Sequence, residues 1–131
     1  MAKILIIDDD GLFRFMLSAT LVHLGHNVIE AGGGAEGLKL FEETKPDLVI
    51  TDLVMPEMEG FEVLMNFKKH SPPPKIMVMS GGVAGTSVDF LEIATRLGAS
   101  SVLAKPFSTD ALIKAIDALL PPGKTPPEGT V

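Results

Sequence analysis

Five short apolar runs alternate with segments of helical spacing, and that alternation limits what this chain can fold into. The runs are Lys3–Asp8, Asn27–Ala31, Asp47–Thr51, Lys75–Met79 and Val102–Ala104. The first is read as strand because Ile4, Ile6 and Ile7 are β-branched and acids close it. Between the runs, Leu12 to Leu24 sets Phe13, Leu17, Leu21 and Leu24 on one helical face, and Gly25 ends it. Glu36–Glu43 carries Leu38, Leu40 and Phe41. Gly60 to Lys69 carries Val63, Leu64 and Phe67, and Val88–Leu97 forms a further helix. Ser108 is placed to cap a last helix in which Leu112, Ile113, Ile116, Leu119 and Leu120 repeat at helical spacing. Strands that are apolar almost without interruption suit burial on both faces. The expected class is therefore α/β, with a parallel sheet between two helical layers.

The 131 residues are enough for one core and too few for two. From Pro121 the sequence becomes Pro-Pro-Gly-Lys-Thr-Pro-Pro-Glu-Gly-Thr-Val, which has almost nothing to bury. Residues 1–120 are read as the domain, and 121–131 as a flexible tail or the start of a linker. A formal charge of −6 argues against direct nucleic-acid binding, which depends on Lys and Arg at the phosphates. Cysteine is absent, so disulfides and thiolate metal sites are excluded. No apolar run approaches the length of a membrane span, and Met1-Ala2-Lys3 enters the first strand without a signal-peptide pattern. A cytoplasmic protein is expected.

Four polar positions fall at successive strand ends: Asp8-Asp9-Asp10, Asp52, Ser80 and Lys105. Parallel strands bring such ends to one edge of the sheet, where open α/β folds bind their ligands. Three adjacent carboxylates repel one another unless a cation sits among them, and a hard ion such as Mg²⁺ takes oxygen ligands. The same triplet also suits a polar turn, with Asp10 capping the helix that follows. Asp52 closes an apolar strand and is followed by Pro56 and Gly60, so it is either a turn residue or a carboxylate held by a rigid loop. As a nucleophile it would attack phosphorus to form an acyl phosphate. Ser80, ahead of Gly81-Gly82, suits either a turn or donation to a phosphoryl oxygen. Lys105 follows Val102-Leu103-Ala104, so its ammonium has a specific target or snorkels to the surface. His23, His26 and His70 lie away from these strand ends and are read as surface or capping residues. The Phe and Met side chains are read as core.

Taken together, these residues resemble the receiver domain of two-component response regulators, the CheY-like family, over about residues 3–120. The resemblance implies a doubly wound (βα)5 sandwich with flavodoxin-like strand order 2-1-3-4-5. It makes Asp52 the phosphoacceptor, supplied from a sensor histidine kinase or a histidine phosphotransfer protein. It implies Mg²⁺ held by Asp8, Asp9, Asp52 and the backbone carbonyl of Val54. Ser80 and Lys105 would then bind the phosphoryl group, with a cis Lys105–Pro106 bond. Output through a downstream effector protein or an output domain follows, as does homodimerisation on phosphorylation, with no membrane partner.

Three positions depart from the family pattern. Val102 stands where the family carries a switch aromatic. The Gly81–Ser87 connection is rich in glycine and long. Val54 offers no polar side chain to orient a hydrolytic water. Two other readings remain open in the sequence. Asp8 and Asp10 match the one-residue spacing of the nucleophile and acid in haloacid-dehalogenase-type phosphatases, which would leave Asp52 unused. The acidic pocket would also suit a pseudo-receiver that binds partners without being phosphorylated.

Overall fold

A computed structural model describes residues 2–52, 59–70, 73–80, 92, 94–96 and 98–120, with backbone alone at 59–61 and 80. The elements run β1 (Lys3–Ile7), α1 (Gly11–His23), β2 (Asn27–Ala31), α2 (Gly34–Thr44), β3 (Leu48–Asp52), α3 (Glu59–Lys68), β4 (Ile76–Ser80), β5 (Ser101–Ala104) and α4 (Thr109–Leu119). The helix expected over Val88–Leu97 falls partly outside the described residues; Glu92 and residues 94–96 within it are helical. The tail from Pro121 lies outside them altogether.

All strand pairs are parallel, in the order β2-β1-β3-β4-β5. This is the flavodoxin-like order expected from the sequence. Successive residues of a strand point to opposite faces, and the two cores follow that alternation. Ile4, Ile6, Leu48, Ile50, Met77 and Met79 meet Leu17 and Leu21 of α1 and Leu112 and Ile116 of α4 on one face. Leu5, Ile7, Val49, Ile76 and Val78 meet Val63, Leu64 and Phe67 of α3 on the other, where Leu38, Leu40 and Phe41 of α2 also pack. The three inner strands are buried over Ile4–Ile7, Leu48–Asp52 and Ile76–Met79, whereas β2 and β5 are half-exposed edges. The chain leaves β1 toward β2 and then returns past β1 to lay down β3. The strand order therefore reverses between β1 and β3, which places a crevice at their carboxyl ends.

Local chemistry sets where the helices begin and end. Asp10 caps α1 by accepting from Phe13 N at 3.1 Å, and Gly25 ends it with φ +99°. Ser108 caps α4 by accepting from Ala111 N at 3.0 Å, as its position in the sequence implied. Helix α2 starts at Gly34, two residues earlier than the apolar pattern indicated. The Glu36 carboxylate reaches back to Gly32 N at 2.6 Å, which supports this early turn. Strands β3 and β4 each run one residue further than expected, so Asp52 and Ser80 belong to the ladder.

Not every Phe and Met enters the core. Phe15 and Met16 of α1 and Met65 of α3 are exposed, with Leu12 and Val22 beside the first two on α1. Helical spacing alone did not separate this outer row from the inner one.

Candidate functional site

The strand registers bring the polar ends into line. Ile7 lies opposite Thr51, so Asp8 and Asp52 follow on adjacent strands. Asp52 lies opposite Met79, and Ser80 opposite Ala104, the residue before Lys105. Lys105 thus starts two strands from Asp52 and three from Asp8, roughly 10 and 14 Å at the usual strand spacing. Its side chain crosses the end of β4 and places Nζ 3.0 Å from Asp52 Oδ2 and 3.1 Å from Asp8 Oδ2.

Asp8 is fully buried and engaged on both sides. Its Oδ1 accepts from Asp10 N at 2.9 Å, Oδ2 accepts from Lys105, and its carbonyl accepts from Arg14 Nη1. Arg14 Nε in turn pairs with Glu30 Oε1 at 3.1 Å. Asp9 is exposed at the mouth of the crevice. Asp52, the buried last residue of β3, keeps 7% of its surface open. Carboxylate oxygens of Asp8, Asp9 and Asp52 all lie within 4.8 Å of one another. Asp8 and Asp52 share one ammonium, and Asp9 adds a third carboxylate that pairs with no cation among the described residues, so the cluster carries excess negative charge. An all-oxygen donor set with that residual charge fits a hard divalent cation.

Burial pulls the Lys105 ammonium toward deprotonation. The hydrogen bond to Asp52 and the charges of Asp52 and Asp8 outweigh it and hold the group above its ordinary value. Lys105 is therefore a cation at neutral pH. It also lies 3.9 Å from the centroid of the Phe13 ring, and Phe13 meets Phe107 edge to face, with centroids 6.0 Å apart. The Lys105–Pro106 bond is cis.

Of the residues singled out in the sequence, Asp8, Asp9, Asp52 and Lys105 meet at one point. The Ser80 backbone stands in register beside them, while its side chain, Val54 and the Gly81–Ser87 connection lie outside the described residues. Asp10 is occupied as the α1 cap. Val102 is half-buried against the α2–α3 core. Phe13 and Arg14 were not singled out. Phe13 has the spacing of a core residue, and only the fold shows a lysine above its ring. His26 departs from the surface or capping reading, whereas His70, half-buried at the end of α3, keeps to it. His26 is buried where α1 gives way to β2, and His70 joins α3 to α2 through Glu42 Oε1 at 3.2 Å and the Phe41 ring at 4.8 Å.

No helix of the described residues is long and apolar enough to cross a membrane. Residues 4–117 match the sequence profile of the response regulator receiver domain. The chain is 37% identical over 118 residues to a probable transcriptional regulator ycf27 of Guillardia theta, covering 90% of this chain and 45% of that protein. It thus spans about half the length of that regulator. It is 35% identical over 119 residues to the chemotaxis protein CheY of Listeria monocytogenes, covering 89% of this chain and 97% of that one. A crystal structure of a response regulator receiver domain protein from Clostridium thermocellum superimposes with a TM-score of 0.82 at 32% identity, covering 91% of this chain and 94% of that one. The profile match opens in β1 and closes in α4, so every strand that contributes to the acidic crevice falls inside it: the chain belongs to the response regulator receiver family.

Proposed function

We propose that this chain is a phosphoacceptor receiver of a two-component system or phosphorelay. An Asp52 carboxylate oxygen attacks the phosphorus of a phosphohistidine on a sensor histidine kinase or histidine phosphotransfer protein. The new P–O bond forms as the P–N bond breaks, and the electron pair returns to the imidazole nitrogen. We assign Mg²⁺ to Asp8, Asp9, Asp52 and the Val54 carbonyl, where it would neutralise oxygens of both the carboxylate and the incoming phosphoryl group. Lys105, already charged, donates to the phosphoryl oxygens, and the Ser80 hydroxyl donates beside it. Slow hydrolysis of the acyl phosphate resets the protein. The signal leaves through protein contacts, to an effector or to an output domain joined at the tail, with homodimerisation on phosphorylation as a further route.

The observation that carries this reading is the position of Asp52. It is the last residue of a buried central strand, open to solvent by 7%, with its carboxylate on the Lys105 ammonium and beside Asp8 and Asp9, the acids that follow β1. The phosphatase reading needs Asp8 as nucleophile, and Asp8 is buried with both carboxylate oxygens engaged.

Incubation with acetyl phosphate and Mg²⁺ tests the proposal by intact-protein mass. One base-labile phosphoryl group is expected on the native chain, none on Asp52→Asn, and a reduced yield on Asp8→Asn. Label retained at Asp8 in the Asp52 variant, with turnover of general phosphomonoesters, would establish the phosphatase reading instead. A native chain that binds Mg²⁺ and never takes label is a pseudo-receiver.

A further inference from the structure

Phe13 sits at the junction of two chains of contacts. Its ring lies under the Lys105 ammonium, 3.9 Å from Nζ, and its edge-to-face partner Phe107 is two residues beyond that lysine. Its backbone N–H donates to Asp10 Oδ1, and Asp10 N donates to Asp8 Oδ1. Asp8 Oδ2 in turn accepts from Lys105. The contacts close a ring: Asp8, Asp10, Phe13, Lys105 and back to Asp8. We infer that Phe13 is a positioning residue for Lys105, its aromatic face holding the ammonium over the crevice during phosphoryl transfer to Asp52. The inference rests on the receiver reading given above.

Three physical points support it. Lys105 leaves a half-exposed edge strand and must cross the end of β4, so its long side chain has much rotamer freedom to lose. A ring beneath the ammonium lowers the number of places it can go. Next, an ammonium has three N–H donors, and a ring face attracts the charge without needing to take one as a hydrogen bond. The Asp8 and Asp52 hydrogen bonds are kept. Finally, attraction to a ring face is broad, whereas a carboxylate fixes the donor at one oxygen. When negative charge moves from the Asp52 carboxylate to phosphoryl oxygens, the ammonium can slide over the ring toward them. Phe13 and Phe107 also line an open groove of about 190 Å³ between α1 and α4, which gives the pair room to tilt with it.

A simple packing role makes a different set of demands, and two substitutions separate them. Phe13→Leu keeps an apolar side chain against Phe107 but removes the π face; Phe13→Trp keeps the face. The first readout is the proton NMR shift of the Lys105 ε-methylene at fixed pH in metal-free protein, where the ring current should move it upfield. The second is the rate of phosphorylation as acetyl phosphate is varied at saturating Mg²⁺. Phe13→Leu should lose the upfield shift and slow phosphorylation by about 3- to 30-fold, the range that corresponds to a cation–π contact. Phe13→Trp should restore both. A Leu variant that keeps the native rate, or a Trp variant as slow as Leu, overturns the inference. If the native chain takes no phosphoryl group, the receiver reading falls by itself. The ε-methylene shift then decides alone whether Phe13 holds Lys105, and an unchanged shift in Phe13→Leu overturns that too.

Discussion

Asp8 and Asp52 are held on one ammonium, with Lys105 Nζ 3.1 Å from the first and 3.0 Å from the second. Two strands that meet at the reversal of the sheet thus share a counterion from its far edge. Lys105→Met should expose the repulsion between the acids. Breaking a buried pair typically costs 3–5 kcal/mol, and the open rim of this site reduces that to about 2–3 kcal/mol in cation-free buffer. Mg²⁺ should then raise the melting temperature of the variant more than that of the native chain, because the dication meets a more negative pocket. Scanning calorimetry with and without Mg²⁺ checks both. Equal stability of the two cation-free proteins would mean that the ammonium is not the counterion.

Asp9 should behave in the opposite way. It is exposed and adds charge to the cluster, and it joins no hydrogen bond among the described residues. Asp9→Ala removes a like charge and one of the proposed metal ligands together. The fold should be as stable as the native one or slightly more so, while Mg²⁺ affinity drops by about tenfold or more. Isothermal titration measures the loss. An unchanged affinity would put the metal elsewhere in the crevice.

How far these features could be read in advance depends on what each one rests on. The strands were legible because Ile4, Ile6, Ile7, Val49 and Ile50 are apolar without a break, which parallel burial on two faces requires. Their ends were less so. Apolar counting stops at Thr51 and Met79, whereas the ladder continues through Asp52 and Ser80 because the neighbouring strand still pairs with each. The start of α2 was hidden for a similar reason, since Gly33 and Gly34 carry no periodic signal. Asp8, Asp9, Asp52 and Lys105 were legible because each follows an apolar run, and strand ends gather at one edge. Phe13 and His26 were not. The contact of Phe13 with Lys105 joins α1 to the far edge of the sheet, and the burial of His26 depends on where α1 ends.

The closeness of α2 to β1 gives a test of packing just below the site. A Cβ on Gly37 would lie 2.7 Å from Ile7 Cγ1 and closer still to Cδ1. Ile7 is fully buried and precedes Asp8 directly. Gly37→Ala gains up to about 1 kcal/mol of helix propensity, yet overpacking of this kind costs about 1–3 kcal/mol. A net loss of stability is expected. Ile7→Val removes Cδ1, so the double variant should be more stable than the sum of the two single changes implies. Urea unfolding of the four proteins gives the coupling, and strict additivity would show that the helix moves away freely.

The buried histidine makes stability depend on pH at the end of the sheet away from the acids. His26 is 5% exposed, its backbone N–H donates to Leu21 O, and its Nδ1 has no hydrogen-bond partner among the described residues. Burial, then the charge of the amino terminus, depress its affinity for a proton below the ordinary value of 6.5, while Asp117 works weakly the other way. The unfolded chain therefore binds this proton at a higher pH than the folded one. Well above pH 6.5 both forms are neutral and the histidine contributes no pH dependence. As pH falls below 6.5 the unfolded state gains a proton first, and stability declines until the folded pKa is reached. The slope from this group is at most about 1.4 kcal/mol per pH unit. Because carboxylates also titrate toward acid, the measurement is a difference. Urea unfolding of the native chain and His26→Gln, from about pH 7.5 to about pH 5, should give curves whose separation changes below pH 6.5, with the variant falling less steeply. Parallel curves across that window would mean that His26 takes up its proton equally well in the folded protein.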